Sequence, residues 1–475
     1  MTHKPIHIHN LALILPHKIC FENFSTQIYF GNRIAIIGRN GSGKSSLLKI
    51  LQGQFESSDG KVGIPNDVKF GNVPQIIEAF EALSGGQKFN AALTEAISSF
   101  PNVLLLDEPT NHLDSSNRKS LMRMLNSFDG TLIVVTHDTQ LLKTMDIIWH
   151  IDNGKITMFH GTYEGYLRES LIRRNHLEDE LSQIQRQKKE IHTSLMEEQS
   201  RASRSALKGQ KSIDNRKWPT IVSKAKMGRA QETSGNKKAQ LSHKKQELNN
   251  KLSDMYIPEI LKPKFHLKSA YIPNKDLIVI SNGNISYENN IILKDINISV
   301  NSNERIAICG DNGSGKSTLL KAILNKPNII KKGEWLLPKL EDIGYLDQHY
   351  GNLNSNVTVF DSVSDVVPNW IQADIRKHLN EFLFRKNEEI NNLVCNLSGG
   401  ERARLSLAKI AANPPKLLVL DEITNNLDLE TTDHVIQILK EYQGAMIIVS
   451  HDEEFLEKLG IDNYYDILKG NIQLR

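Results

Sequence analysis

The chain has 475 residues, of which 39% are hydrophobic and 24% are charged, which is ordinary for a globular protein and long enough for two or three domains. No apolar run approaches the roughly 18 residues that span a bilayer, and the N-terminus lacks the pattern of a secretory signal, so we expect a cytoplasmic protein without a membrane span. Cys20, Cys309 and Cys395 are far apart and lack metal-ligand spacing, which argues against disulfides and a zinc site.

The net charge of +3 is unevenly distributed along the chain. Residues 166–251 contain 20 Lys and Arg against 10 Asp and Glu. Such a local excess favours a polyanionic partner, and nucleic acid is the usual candidate.

The first functional element in chain order is the glycine-rich segment GRNGSGKS, from Gly38 to Ser45. It follows a β-branched run and precedes a Leu/Lys-rich helical pattern, which predicts strand, loop and helix. The segment matches G-x-x-x-x-G-K-[ST], whose glycines let backbone amides wrap phosphates without Cβ clashes. Lys44 would then reach the β- and γ-phosphates of a nucleotide, and Ser45 would offer its hydroxyl to Mg²⁺.

An acidic pair, Asp107-Glu108, follows the apolar strand-like run 103–106. Open α/β sheets bind ligands at the carboxyl ends of their strands, so this pair is expected beside the phosphate loop. We predict that Asp107 orients Mg²⁺ and that Glu108 accepts a proton from the attacking water.

Residues 163–273 have helical rather than strand character and are predicted to form a basic linker of two antiparallel helices, about 35 residues each. Apolar positions recur at spacings of four and three along two seams, which Lys188 and Lys245 interrupt. The seams are Leu177, Leu181, Ile184, Lys188, Ile191 and Leu195, and Leu241, Lys245, Leu248, Leu252 and Met255.

The turn between these helices is predicted to contact RNA. From Arg201 to Arg229 there are nine basic residues and one acidic residue, with Trp218 among them. Basic side chains would bind phosphates and the aromatic ring could stack on a base, although such a charge run is often only a solvated face. The predicted RNA contacts are Arg201, Arg204, Lys208, Lys211, Arg216, Lys217, Trp218, Lys224, Lys226 and Arg229.

The C-terminal part repeats the N-terminal motifs in the same order. GDNGSGKS begins at Gly310, and Asp421-Glu422 follows another apolar strand. We assign Lys316, Ser317, Asp421 and Glu422 the same roles as their counterparts. Such self-similarity predicts two α/β domains, 1–162 and 274–475.

The combination of phosphate loop, LSGG[QE], acidic strand and His-Asp resembles the ATP-binding-cassette family. The signatures are LSGGQ from Leu83 and LSGGE from Leu397. The resemblance implies that each signature faces the ATP held by the other domain, so that two ATP molecules join the two halves. It also implies that His137 and His451 contact the γ-phosphate as part of the catalytic set, and that Gln75 and Gln348 are Q-loop residues at the Mg²⁺ sites.

The complete set of predicted ATP-binding residues comprises both phosphate loops, both signatures and one aromatic residue. They are Gly38, Asn40, Gly41, Ser42, Gly43, Lys44, Ser45 and Ser46; Gly310, Asn312, Gly313, Ser314, Gly315, Lys316, Ser317 and Thr318; Ser84, Gly85, Gly86 and Gln87; Ser398, Gly399, Gly400 and Glu401; and Tyr287.

The two copies differ in ways that predict unequal sites. Tyr287 lies 29 residues before Lys316, where the family places an aromatic residue on adenine, whereas the matching residue of the first copy is Leu15. Only eight residues separate Gln75 from Ser84, against 49 between Gln348 and Ser398. The first copy has therefore almost lost the helical subdomain that receives membrane partners in transporters.

Two cassettes in one chain, joined by a charged two-helix linker, resemble the ABC-F translation factors. The implied fold is α/β, with two P-loop ATP-binding-cassette domains joined by a long antiparallel α-helical hairpin. The implied function is an ATPase that is a monomer, binds the ribosome with its linker near tRNA and rRNA, and in one branch confers antibiotic resistance. The alternatives are the ATPase subunit of a membrane transporter and a DNA-maintenance ATPase.

Overall fold

The computed structural model describes residues 2–16, 18–75, 85–111, 113–214, 239–251, 276–288, 290–348, 350–425 and 427–475. These residues form two compact units. One unit holds the chain up to Tyr163 and again from Asp276 onwards, and so contains both motif sets. The other is the helical segment that begins at Glu164.

The N-terminal motifs lie on an α/β domain, the first cassette. Its strands are β1 (Ile6–Leu15), β2 (Lys18–Ile28), β3 (Arg33–Gly38), β4 (Asp59–Gly63), β5 (Phe70–Val73), β6 (Val103–Asp107), β7 (Thr131–Val135), β8 (Ile147–Asp152) and β9 (Lys155–His160). Its helices are α1 (Lys44–Leu51), α2 (Gly85–Ser98), α3 (Ser115–Asn126) and α4 (Thr139–Leu142). Among the described residues the strand order of the central sheet is β5-β6-β7-β3-β8-β9, parallel except for β8–β9, and β2-β1-β4 form an antiparallel sheet.

Between the two cassettes the described chain forms two helices, α5 (Tyr163–Asp214) and α6 (239–251). Ile184 and Ile191 of α5 form a buried apolar cluster with Leu248 of α6, and Leu195 and Leu241 pack against it. All five residues belong to the two seams read from the sequence.

The 52 residues of α5 exceed the predicted length of about 35. Arg201, Arg204, Lys208 and Lys211 consequently lie on the helix rather than in a turn. The physical reason is that the Ala, Leu, Arg, Lys and Gln residues of this stretch favour helix and outweigh its single glycine.

The second cassette repeats this architecture. Its strands are β10 (Asp276–Tyr287), β11 (Asn290–Asn301), β12 (Arg305–Cys309), β13 (Ile330–Leu336), β14 (Ile343–Leu346), β15 (Leu417–Asp421), β16 (Ala445–Val449), β17 (Asn463–Leu468) and β18 (Asn471–Leu474). Its helices are α7 (Lys316–Ile323), α8 (Val359–Ser364), α9 (Gln372–Glu381), α10 (Asn387–Ile390), α11 (Gly399–Ala412), α12 (Leu429–Glu441) and α13 (Glu453–Leu459). The order β14-β15-β16-β12-β17-β18 matches the central sheet of the first cassette strand for strand, which confirms two α/β cassettes.

The helices α8, α9 and α10 lie within the 49 residues between Gln348 and Ser398, where the first copy has only eight residues. Buried Val359, Ile375 and Ile390 pack in one core with Leu405 of α11. The second cassette thus has a helical subdomain of its own. Within the part of the chain that the structure describes, no helix is both long and apolar enough to span a membrane.

Candidate functional site

The sheet order explains why the motifs of each copy meet. β3 lies next to β7, and β7 lies next to β6. The carboxyl ends of these parallel strands lead to the phosphate loop, the histidine motif and the acidic pair, respectively. All three motifs therefore converge at one edge of the sheet, where open α/β sheets bind ligands.

Glycine is required at both ends of the first phosphate loop. Gly38 has φ 148°, and a Cβ there would lie 2.4 Å from the carbonyl oxygen of Ile151. Gly43 has φ 99°, and a Cβ there would lie 3.0 Å from Cβ of Cys20. Only glycine allows the loop to lie this close to its surroundings.

The lysines of both loops are buried against loop carbonyl groups. Lys44 Nζ donates hydrogen bonds to the carbonyl oxygens of Gly38 at 2.7 Å and Arg39 at 3.1 Å. Lys316 Nζ makes the matching bonds at 2.8 and 3.0 Å. Burial lowers the pKa of both ammonium groups, while nearby carboxylates, first Glu108 and Glu422 respectively, oppose that shift. Both cations are thus fixed where an incoming phosphate would meet them.

The carboxyl group of Asp107 has the properties expected of an Mg²⁺ ligand. The Ser45 side chain hydrogen-bonds to it, and Asp107 Oδ1 is buried with no hydrogen-bond partner in the described structure. Burial raises the pKa of Asp107. A buried and unsatisfied carboxylate oxygen beside a serine hydroxyl fits a hard cation.

The second acidic site is arranged differently. Asp421 Oδ2 accepts a hydrogen bond of 3.3 Å from the Tyr345 hydroxyl. Burial and the neighbouring Glu422 raise the pKa of Asp421. Asn72 occupies the β5 position that corresponds to Tyr345 in β14, so the first cassette has no phenol there.

Glu108 and Glu422 share an unusual backbone conformation, with φ 52° and φ 51°. This left-handed region is costly for residues other than glycine and clusters at functional sites. The turn brings Glu108 Oε1 to 2.9 Å from His137 Nε2, and Glu422 Oε1 to 3.5 Å from His451 Nε2. Each carboxylate and its histidine could together hold a water molecule for attack on a phosphate.

Reciprocal contacts join the two cassettes at their phosphate loops. The backbone amide of Asn40 donates to Asp428 Oδ2 at 3.2 Å, and the amide of Asn312 donates to Asp114 Oδ2 at 3.3 Å. Burial alone would raise the pKa of Asp428, but hydrogen bonds from Thr431 and from Asn40 bring it below its usual value. Each phosphate loop is thus completed by a carboxylate of the other cassette.

We did not predict Asp114 and Asp428 as site residues, although a signal existed. Each ends a segment that both copies share, DEPTNHLD in the first and DEITNNLD in the second, and each caps the following helix, α3 or α12. The first site has a further contact between the cassettes, in which Arg39 forms a bidentate ion pair with Glu430 at 2.7 and 2.8 Å. Its counterpart in the second phosphate loop is Asp311, which has the opposite charge.

The signature motifs open helices in both copies. Ser398 caps α11 in a capping box, in which its backbone amide donates to Glu401 Oε2 at 2.8 Å. Ser84 lies outside the described residues, while Gly85, Gly86 and Gln87 begin α2. That the signatures face the nucleotides of the opposite cassettes stays a prediction.

The remaining predicted residues lie at the edges of the sites. Tyr287 ends β10 and is half-buried, whereas Leu15 ends β1 and is 42% exposed. Gln75 and Gln348 follow β5 and β14. Arg201 and Arg204 are exposed on α5, while Arg216, Lys217, Trp218, Lys224, Lys226 and Arg229 lie outside the described residues.

Two protein families match this chain. One matches two separate segments, and the other matches a segment that lies between them. The family described as "ABC transporter" matches residues 21–74 and 293–425. The family described as "AAA domain, putative AbiEii toxin, Type IV TA system" matches residues 75–143. These matches cover parts of both cassettes and indicate nucleotide-hydrolysing domains.

Three curated relatives are similar along most of their length. The ATP-binding protein Uup of Buchnera aphidicola is 30% identical, over 95% of this chain and 78% of that protein. The ribosome protection protein VmlR of Bacillus subtilis is 28% identical, over 94% and 84%. The energy-dependent translational throttle protein EttA of Escherichia coli is 26% identical, over 95% and 90%.

A solved structure supports the architecture. The archaeal ribosome recycling factor aABCE1, in complex with the ribosomal stalk protein aP1, aligns with a TM-score of 0.61 over 98% of this chain and 89% of that one. The identity of 17% makes this a likeness of fold alone.

Proposed function

This chain belongs to the ABC-F family of tandem ATP-binding-cassette ATPases, and we propose that it binds the ribosome while ATP holds its two cassettes together. Hydrolysis of that ATP then releases the protein from the ribosome. The observation that carries the proposal is the reciprocal contact of Asp428 with Asn40 and of Asp114 with Asn312. A nucleotide bound to either phosphate loop would lie beside residues of both cassettes, so its binding and hydrolysis can change how the cassettes associate.

Within each site we assign separate tasks to the two carboxylates. Glu108 and Glu422 accept a proton from the attacking water, while His137 and His451 orient that water against the γ-phosphate. Ser45 with Asp107, and Ser317 with Asp421, would hold Mg²⁺, which supplies charge neutralisation on the phosphate oxygens. Lys44 and Lys316 give up their loop carbonyl partners to bind the β- and γ-phosphates.

The helical linker is the proposed RNA-binding element. Residues 166–251 carry twice as many basic as acidic residues, and Arg201 and Arg204 are exposed on α5. The apolar cluster of Ile184, Ile191 and Leu248 joins α5 to α6, and Arg201 and Arg204 follow this paired region on α5. Phosphate contacts from such a surface suit tRNA and rRNA.

The names of two relatives, a ribosome protection protein and a translational throttle protein, support the ribosome as the partner. We propose protection against a ribosome-targeting antibiotic as a secondary role. A ribosomal partner also agrees with the predicted cytoplasmic location.

The proposal is tested by sedimentation of ribosomes with the double variant Glu108→Gln and Glu422→Gln, which should bind ATP without hydrolysing it. We expect this variant to sediment with ribosomes in ATP and to stay in the supernatant in ADP. The double variant Lys44→Ala and Lys316→Ala should not sediment in either nucleotide, because it lacks both phosphate-binding cations.

Absence of ATP-dependent sedimentation at low salt would contradict the proposed partner. Hydrolysis stimulated by DNA instead would then favour the DNA-maintenance ATPase. Recovery with a membrane protein would favour the transporter subunit.

A further inference from the structure

One arginine lies between the histidine motifs of the two cassettes. Arg118 is on α3, and its side chain is 12% exposed. Its Nη2 lies 2.5 Å from Asp138 Oδ1 in the first cassette, and its Nη1 donates to the carbonyl oxygen of His451 in the second at 3.2 Å. Asp138 directly follows His137. A single guanidinium group therefore binds both histidine motifs.

The contacts continue from this arginine to both catalytic glutamates. On one side, His137 lies 2.9 Å from Glu108. On the other side, His451 lies 3.5 Å from Glu422. The series of contacts from Glu108 to Glu422 thus passes through Arg118, by way of the side chain of Asp138 on one side and the backbone carbonyl oxygen of His451 on the other.

The surroundings of Arg118 fix its position. Asp138 is 3% exposed at its side chain and caps α4, with its Oδ1 accepting from the amides of Gln140 and Leu141. A buried carboxylate requires a partner, and Arg118 supplies one. The planar guanidinium presents its donors on separate nitrogen atoms in a rigid fork, whereas lysine carries its charge on one nitrogen at the end of a flexible stem.

Further contacts join the same two motifs. Gln140 Nε2 of α4 donates to Glu453 Oε2 of α13 at 3.4 Å, and the Thr139 side chain hydrogen-bonds to Glu454. Arg118 also lies one helical turn after Asp114, which accepts from the second phosphate loop. Helix α3 therefore contacts the second site at both its phosphate loop and its histidine.

The arrangement is not repeated in the other cassette. The residue of α12 that corresponds to Arg118 is Thr432, whose short side chain cannot reach two loops. We propose that Arg118 is a positioning residue that holds both histidine motifs at once and so makes hydrolysis at the two sites depend on each other. This inference rests on the proposed function, in which His137 and His451 orient the attacking water.

The test uses single-site enzymes. In Glu108→Gln only the second site hydrolyses ATP, and in Glu422→Gln only the first. We expect Arg118→Ala to lower kcat about 10-fold or more in both backgrounds with KM for ATP changed less than about twofold, because a displaced histidine impairs the chemical step rather than ATP binding. The matched control is Arg123→Ala, an exposed arginine of the same helix, which should change neither rate.

Arg118→Lys separates positioning from a merely structural role. Lysine can keep the ion pair with Asp138 but not the hydrogen bond to the carbonyl oxygen of His451. We therefore expect Arg118→Lys to restore kcat at the first site and to leave kcat at the second site low. If Arg118→Ala does not fold, the double variant Arg118→Ala and Asp138→Asn removes the buried pair together and keeps a helix cap, and it should slow both sites.

The inference would be overturned if Arg118→Ala lowered kcat in only one of the two single-site enzymes, or if Arg118→Lys restored kcat fully at both sites. These outcomes differ from a failure of the proposed function. That failure would appear as normal hydrolysis by the Glu108→Gln and Glu422→Gln double variant, with Arg118 intact.

Discussion

The backbone amide of Asn40 in the first cassette donates a hydrogen bond of 3.2 Å to Asp428 Oδ2 in the second cassette. Asp428 also accepts from the amide of Thr431 and thereby caps α12. One carboxylate thus starts a helix in its own cassette and completes a phosphate loop in the other. Formation of the first site therefore depends on the fold of the second cassette, and the second site depends on the first cassette in the same way through Asp114.

Replacement of Asp428 by Ala should weaken both the helix and the shared site. Loss of the cap costs about 1 kcal/mol of unfolding free energy, and we expect ATP-dependent association of the cassettes to fall as well. Denaturant unfolding and nucleotide retention measure the two effects. The control is Thr358→Ala, which removes the cap of α8 away from the phosphate loops; equal loss of ATP retention in this variant would contradict the assignment.

Replacement of both Glu108 and Glu422 by Gln should abolish turnover. A general base contributes about 10²- to 10⁴-fold to the rate, and the amide cannot accept the proton. Steady-state phosphate release measures the change, and equilibrium ATP binding should persist. Turnover within a few fold of the wild type would exclude these glutamates as proton acceptors.

The two sites should differ in their preference for adenine. Tyr287→Ala should weaken ATP binding at the second site by roughly 1–3 kcal/mol, the value of a base stacked on an aromatic ring, whereas Tyr287→Phe should not. Binding is measured in Lys44→Ala, which leaves only the second site. In Lys316→Ala, the added substitution Leu15→Tyr should strengthen binding at the first site. An unchanged affinity in all these variants would show that neither position contacts the base.

Replacement of Asp107 by Asn should stabilise the fold while it stops hydrolysis at the first site. Burial raises the pKa of Asp107 above its ordinary value of 3.8, so the native state binds the proton more tightly than the unfolded state does. The wild type therefore loses stability as pH rises from about 4 through the raised pKa of Asp107. The gain in stability from Asn should be largest at neutral pH and vanish near pH 4. Thermal unfolding without Mg²⁺ at several pH values measures it, with the exposed Asp129→Asn as control; an advantage that grows in acid would contradict the sign.

Replacement of Arg216, Lys217, Lys224 and Lys226 by Ala should weaken RNA binding and flatten its salt dependence. Each phosphate contact contributes roughly 0.7 to the slope for single strands, so four lost contacts reduce it by up to about 3. Basal ATPase activity should be unchanged. The matched control replaces four exposed cassette lysines, Lys61, Lys326, Lys377 and Lys469. A slope reduced equally by both sets would mean that the linker has no special role.

The sequence predicts the two-cassette fold well because each motif is local and occurs twice. Gly38 ends a buried strand and Gly310 directly follows one, and each lies six residues before the first residue of a helix. It also identifies Ile184 and Leu248 as members of two helix seams that the structure packs together. Local periodicity is enough for such elements.

Local periodicity and repeated motifs do not predict the contacts between the cassettes. Arg118 and His451 are 333 residues apart, and no repeat points to their contact because Thr432 replaces the arginine in the second copy. The predicted extent of α5 is also wrong: charge and composition predict a turn after Arg201, whereas the helix propensity of the stretch decides the structure. The contact of Arg118 with His451 was not predicted because it is long-range, and the extent of α5 was wrong because local signals compete there.

One chain is expected to form two ATP sites, each shared by both cassettes. The most direct measurement is the amount of ATP retained after rapid gel filtration by the Glu108→Gln and Glu422→Gln variant with Mg²⁺. We expect two ATP molecules per chain, and loss of both when Asp114 and Asp428 are also replaced by Ala. Retention of a single ATP, or of two ATP molecules that survive those substitutions, would contradict it.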